Sequence, residues 1–457
     1  MFRRKAYDQL VQWRHERKGR TALLLEGARR VGKTTLAKEF AQKEYRSSIF
    51  IDFFGAPDQV KTYFEDYRDN MPRLLFYLSA YYDTNLYERD SLIVFDEVQC
   101  FPLARGLIKY LVEDGRYDYL ETGSLLSIRQ NVEGIVIPSE EERVALNPMD
   151  FEEFLWAMGE GGLARLLRAH YEDSRPPDQG LHRKAMRLWR EWLLVGGMPK
   201  AVDSYVREHS FEAADFEKRT ILDLYRVDVS RFARGYESRV TAVFNEIPGQ
   251  LSKHEKKFTL ASVGKSARMR TFGEAFYWLQ DAHVANLCYR ADDPSVGLAL
   301  SKERASFKCY LADTGLLVTH TFADAGPVSE KAYRALLIVD IGINEGMLVE
   351  NAIAQTLVAK GDRLFFYSQS GIKEGEERME VDFLIARPSQ DNALKPKICP
   401  VAVKSPTPYR TQHRAISLDR LKVKFGKGVG DGYVLFPGSL SAVRNRRYIP
   451  LYMAHLL

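Results

Sequence analysis

The clearest chemistry in the chain lies in eight consecutive residues, Gly27-Ala28-Arg29-Arg30-Val31-Gly32-Lys33-Thr34. Their spacing is GxxxxGK[ST]. Glycines let the backbone curl so that several N–H groups point inward at phosphate oxygens. A lysine at the end of such a curl reaches β- and γ-phosphates, and the hydroxyl after it is an Mg²⁺ ligand. The flanks agree with this reading. Residues 21–25 are a short apolar run that predicts a strand, and residues 33–42 predict a helix whose N-terminal dipole favours an anion. ATP and Mg²⁺ are therefore the expected cofactors. The loop residues Gly27, Ala28, Arg29, Arg30, Val31 and Gly32, then Lys33, Thr34 and Thr35, are the expected nucleotide contacts. Thr35 is a candidate for the α-phosphate, and Arg29 and Arg30 also read as solvent-facing loop arginines.

A second pattern is Leu92-Ile93-Val94-Phe95-Asp96-Glu97. An apolar strand here delivers two carboxylates at its C-terminal end, where parallel sheets place their ligands. Successive side chains on a strand alternate direction. Asp96 is thus expected at the Mg²⁺ shell, with Glu97 as the base that polarises the attacking water. The pair follows the P-loop by about sixty residues, the room needed for one more βαβ passage. Thr122-Gly123-Ser124 ends the next apolar run, and Ser124 is the expected sensor of the γ-phosphate or of the lytic water. Arg143 opens a further strand and is a candidate sensor or arginine finger. Glu350, Asp382 and Lys404 form a looser set, read either as a site for Mg²⁺ and a phosphodiester or as scattered surface charge.

These residues need a frame. Strand and helix signals alternate up to Asn147-Pro148, which predicts a parallel sheet with helices on both faces. A mainly helical texture follows, broken at Gly196-Gly197-Met198-Pro199, and β-type runs dominate the last third. The expected domains are residues 1–148, a P-loop ATPase; 149–330, a mainly helical region; and 331–457, an α/β domain. A length of 457 residues fits two or three domains.

Bulk properties narrow the class. The basic N-terminal stretch is not followed by an apolar h-region, so no secretory signal is expected. No apolar run approaches the roughly 18 residues of a membrane span, so no membrane partner is expected. The four cysteines are scattered and form no CxxC pair, which suits free thiols in a reducing cytoplasm. The nine histidines form no metal-type or triad pattern. A net charge of +5 permits a nucleic-acid partner without requiring one. Two local clusters are more basic: His254, Lys256, Lys257, Lys265, Arg268 and Arg270, then Arg410, His413, Arg414, Arg420, Lys422, Lys424 and Lys427.

With these motifs in place, the chain resembles a large prokaryotic family of predicted ATPases that join an AAA+-like domain to a C-terminal domain of unknown function 4143. The resemblance covers nearly the whole chain. Its markers are residues 23–35 (LLLEGARRVGKTT), 93–99 (IVFDEVQ), 122–124 (TGS), 145–155 (ALNPMDFEEFL), 196–199 (GGMP), 307–317 (FKCYLADTGLL), 349–351 (VEN), 380–385 (EVDFLI) and 401–405 (VAVKS). It implies an additional-strand, catalytic-glutamate ATPase with Lys33 and Thr34 on phosphate and Mg²⁺, Asp96 on Mg²⁺, Glu97 as base and Ser124 as sensor. It also implies a winged-helix-like middle, over roughly residues 150–315, and a C-terminal fold similar to PD-(D/E)xK nucleases. That nuclease pattern wants an acid two residues before its lysine. Here Ala402 precedes Val403-Lys404, so Glu350, Asp382 and Lys404 are expected to form a degenerate site.

Three functions fit this reading. The first is an ATPase acting on DNA or RNA. The second is a nucleotide-gated switch acting on protein partners. The third, a small-molecule kinase, fits the long remainder of the chain poorly. A homo-oligomer is a further expectation of the AAA+ resemblance, without a secure arginine finger to support it.

Overall fold

A computed structural model describes residues 2–123, 140–253, 255–323, 326–338, 345–369, 378–388, 396–404, 408–443 and 446–457. The chain divides into two compact units. The first is built from residues 1–147, completed by the short segments 230–234 and 281–283.

The sheet of the first unit holds β1 (Ala22–Glu26), β2 (Ser47–Asp52), β3 (Ser91–Asp96), β4 (Asp118–Gly123) and β5 (Glu141–Ala145). All pairings are parallel, in the order β2-β3-β4-β1-β5. β3 and β4 are buried along their whole length, which is why Leu92 to Phe95 reads as an unbroken apolar run. Every second residue serves one core: Ile49 and Ile51, Ile93 and Phe95, and Tyr119 pack with Val60, Phe64, Leu74 and Ile108. The helix Lys33–Glu44 follows β1 directly, with Leu36, Ala37 and Phe40 fully buried. The position of β4 matters for chemistry. It lies between β1 and β3, so the ends of three adjacent strands share one edge of the sheet.

The second unit comprises residues 148–229, 235–280 and 284–457. Its mixed sheet holds β6 (Ala285–Ala291), β7 (Lys302–Leu311), β8 (Phe365–Gln369), β9 (Met379–Arg387), β10 (Lys397–Val403), β11 (Gly432–Phe436), β12 (Ser441–Val443) and β13 (Arg446–Pro450). The order is β12-β13-β11-β10-β9-β8-β6-β7. This differs from the expected boundary near residue 330. β6 lies before that point and pairs in parallel with β8 after it, so one sheet runs across it. Sequence composition carries no record of such a long-range pairing. Among the described residues no helix is long and apolar enough to cross a membrane.

The unit is pinned by a polar junction. Asp313 accepts from the Gly197 and Leu316 backbone N–H groups, the latter capping the helix Thr314–Thr321. Gln355 donates to Asp313 and accepts from both the backbone and the hydroxyl of Thr314. Asn351 holds the Leu311 peptide through both its donor and its acceptor. Gly197 in turn accepts from the Met149 N–H at 2.7 Å. Several separated sequence markers (NPMDF, GGMP and LADTG) thus converge on one packing point. A Cβ on Gly197 would sit 2.1 Å from the Met149 carbonyl oxygen, and backbone on both sides cannot yield. Gly197→Ala is therefore expected to destabilise the second unit by about 2–3 kcal/mol. Urea unfolding should show this as a lower midpoint with an unchanged slope.

Candidate active site

The P-loop connects β1 to the helix Lys33–Glu44, with Gly32 at the helix N-cap. Gly32 has φ 101°, a left-handed conformation that costs a side-chain-bearing residue dearly. Lys33 is buried inside the curl, where its Nζ donates to the Gly27 and Ala28 carbonyls at 3.0 and 3.1 Å. The loop is braced from outside by Arg4. This buried guanidinium donates to the Val31 carbonyl at 3.1 Å and to the Asn147 carbonyl at 2.5 Å. Sequence reading missed Arg4, because one arginine in a basic N-terminal stretch carries no local signal.

Thr34 and Asp96 come together as expected. The Thr34 hydroxyl lies 3.0 Å from each Asp96 carboxylate oxygen. A hydroxyl and a carboxylate converging beside a phosphate loop are hard oxygen donors that fit Mg²⁺. Burial raises the pKa of Asp96, the neighbouring charges of Glu97 and Asp52 add to this, and hydrogen bonds from Thr122 and Thr34 oppose it. A nearby cation would favour the ionised form further.

Glu97 departs from simple strand alternation. β3 ends at Asp96, and Glu97 turns into the left-handed region at φ 52°. A left-handed, non-glycine residue is uncommon, and such strain gathers at functional sites. Its backbone N–H donates to the Thr122 hydroxyl at 3.2 Å, and its carboxylate accepts from Gln99 Nε2 at 2.5 Å. The turn, rather than strand alternation, therefore sets where this carboxylate points.

Thr122 is the hydroxyl that the described structure brings to the site. It stands at the C-terminal end of β4, donates to Asp96 Oδ1 and accepts from Glu97. Ser124, the expected sensor, lies outside the described residues. Both hydroxyls belong to the same TGS motif, and spacing alone does not rank them. Arg143, the candidate sensor or finger, lies within β5. It is paired with Leu24 two residues before the end of β5, and its Nε donates to Glu141 at 3.1 Å. Glu141 is toward the amino end of the strand, so the guanidinium is drawn away from the P-loop. Arg29 and Arg30 are exposed, as loop arginines.

The second set, Glu350, Asp382 and Lys404, is buried throughout, which excludes scattered surface charge. Glu350 accepts from Lys256 at 2.5 Å, from Lys308 at 2.9 Å and from the Tyr310 hydroxyl. Asp382 accepts from the Val403 N–H at 2.8 Å. Burial lowers the Lys308 pKa, but Glu350, Glu380 and Asp382 together hold it above the ordinary lysine value. The Lys404 ammonium lies 5.9 Å from the Tyr448 ring centroid. Lysine ammoniums thus sit on the Glu350 oxygens that a metal would use. No group of three or more potential metal-ligating side chains occurs among the described residues.

The basic clusters resolve differently. Lys256 is buried against Glu350 and leaves the surface cluster. Lys257, Lys265, Arg268 and Arg270 are exposed. His254 lies outside the described residues, as do the side chains of Arg410, His413, Arg414 and Lys427. Arg420 donates to the Arg378 carbonyl, Lys422 pairs with Asp431, and Lys424 donates to Gln369.

Thr122→Val keeps the side-chain shape and removes the hydroxyl that joins Asp96 to Glu97. It is expected to slow nucleotide turnover about tenfold or more while nucleotide affinity changes little, as measured by phosphate release and by titration of a fluorescent nucleotide.

Comparison with known proteins agrees on the first unit. Residues 19–155 match the profile of a family described as an AAA domain. Residues 186–325 match one described as a domain of unknown function, DUF8612, which is not the domain of unknown function 4143 that the C-terminal motifs resemble. No curated protein matches the chain. Solved structures with some likeness include the Aeropyrum pernix ORC1 protein in complex with DNA, at 13% identity and TM-score 0.27, covering 71% of this chain and 93% of that one. Drosophila ORC bound to DNA has 14% identity and TM-score 0.26, covering 70% and 94%. Cdc6p from Pyrobaculum aerophilum has 13% identity and TM-score 0.22, covering 62% and 86%. Scores this low leave the function of the chain to its own residues. The P-loop geometry and the family match over the same stretch make residues 19–155 an AAA-type P-loop domain.

Proposed function

We propose that the chain is an Mg²⁺-dependent ATPase that acts on nucleic acid. The convergence of the Thr34 hydroxyl on both Asp96 oxygens, next to the enclosed Lys33, carries this reading. Lys33 and the loop amides bind the phosphates. Thr34 and Asp96 would hold Mg²⁺, which neutralises phosphate charge when bound. Glu97, oriented by its left-handed turn and by Gln99, takes the proton of the attacking water. Thr122 keeps the Glu97 backbone and the Asp96 carboxylate in register.

Four exposed cations, Lys257, Lys265, Arg268 and Arg270, support the nucleic-acid part. They fall within fourteen residues of chain, and none pairs with a carboxylate among the described residues. Cations without protein partners are free to neutralise phosphodiesters. A second reading, a nucleotide-gated switch on a protein partner, is favoured by the exposed aromatics Phe54, Phe76, Tyr81 and Tyr110 of the first unit.

The C-terminal set belongs to the proposal as a nuclease-like site without cleavage. Ala402 stands where an acid is needed, and Lys256 and Lys308 hold Glu350. Incubation with Mg²⁺ and linear or supercoiled DNA, or with RNA, should leave the substrate intact. Cleavage that vanishes in Lys404→Ala would refute this.

Phosphate release from ATP and Mg²⁺ tests the main reading. Lys33→Ala should abolish ATP binding. Glu97→Gln should bind ATP while turnover falls by about a hundredfold or more. Nucleic acid should raise the Glu97-dependent rate, with a binding slope near −3 to −4 in log K against log salt if all four cations touch duplex phosphates. Turnover that ignores DNA and RNA would move the conclusion to the protein-switch reading.

A further inference from the structure

The segment Asp281–His283 joins the helix Met269–Asp281 to the chain leading into β6, yet it belongs to the first unit, with the P-loop. Within it, His283 has two unusual properties. Its backbone is left-handed, with φ 56°. Its Nε2 is shielded from solvent and has no hydrogen-bond partner among the described residues. A buried polar atom without a partner costs about 1–3 kcal/mol, and a strained backbone adds to that cost. Both point to a position held for something other than stability. The imidazole is also near enough to Lys33 to feel its charge, which adds to the effect of burial in pushing the ring pKa down to about 4. At neutral pH the ring is therefore uncharged and carries one N–H. Nothing in the local sequence, Asp281-Ala282-His283, marks a motif.

We propose that His283 is a phosphate-binding residue of the nucleotide site, its Nε2–H donating to the phosphate chain that Lys33 holds. The inference rests on the P-loop reading above and adds a donor from outside residues 19–155. A neutral imidazole suits this place. It supplies a directed donor without setting a second full positive charge beside Lys33. The bound phosphate oxygen gives the buried Nε2 the partner that no described residue provides.

The test uses the full chain and three variants. His283→Leu fills a similar volume without a donor, His283→Gln places an amide N–H near the Nε2 position, and Lys33→Ala removes the P-loop ammonium. Titration with MgATPγS is expected to show about tenfold weaker binding for His283→Leu and recovery to within about threefold for His283→Gln. Thermal unfolding supplies the second readout. Without nucleotide, His283→Leu should melt at the wild-type temperature or above it, because an unpartnered polar atom has been removed. With saturating ATPγS its stabilisation should shrink. Wild-type affinity in His283→Leu would overturn the proposal. So would a lower melting temperature in the nucleotide-free leucine variant with no recovery of affinity in His283→Gln. A wild-type chain that does not bind ATPγS, or a Lys33→Ala variant that binds it equally well, would overturn the P-loop reading and this inference with it. Loss of binding in Lys33→Ala alone, with both His283 variants at wild-type affinity, overturns only the inference.

Discussion

The Asp96 carboxylate is a buried charge at the end of a fully buried strand, and it must be satisfied where it stands. Water is largely excluded there, so its partners come from neighbouring strand ends. The P-loop after β1 supplies the Thr34 hydroxyl, and β4 supplies Thr122. The sheet order makes this possible, because β4 separates β1 from β3 by a single strand. Glu97 inherits its geometry from the same arrangement, since its peptide N–H binds the Thr122 hydroxyl that binds Asp96. Three strand ends, one loop and the expected base are thus fixed by the need to solvate one carboxylate.

The second unit shows the same economy with a different charge. Asp313 is fully buried, and burial raises its pKa. Amides from Gly197 and Leu316 and the Gln355 side chain meet it. Glu350, five residues before Gln355 on the helix Glu345–Ala359, is met by lysines instead. One helix therefore carries both an amide-rich junction and an ion-pair junction, on different faces. A buried ion pair adds little net stability compared with an apolar replacement, but removing one partner leaves the other charge stranded. Such a helix is tolerant of little change even without any catalytic duty.

Local patterns were the legible part of the chain. The P-loop, the buried strand ending in Asp96 and the β4 terminus all follow from spacing within a few residues, and the parallel sheet follows from their alternation with helices. What escaped depends on distance. Thr122 and Ser124 are equivalent as letters, and only the contacts of Thr122 with Asp96 and Glu97 bring it forward. The left-handed turn at Glu97 has no signature, because glutamate rarely adopts it. Lys256 reads as surface charge until Glu350 is known to lie 2.5 Å away, 94 residues later. The pairing of β6 with β8 joins segments on both sides of an apparent boundary. Arg4 and His283 act from outside every motif. Most of these misses are long-range contacts, for which a single sequence offers no period and no spacing.

The discontinuity of the first unit has a consequence for how the chain is made. Its five strands are complete once residue 147 has been synthesised, but its last piece is residues 281–283. Chains leave the ribosome at roughly 5–20 residues per second, so the sheet waits about seven to twenty-seven seconds for its final segment. During that interval the surface meant for Ser230–Arg234 and Asp281–His283 faces solvent or a chaperone. Completion of the first unit is therefore tied to synthesis of the helices before β6, and a ribosome stalled within them leaves the P-loop domain unfinished.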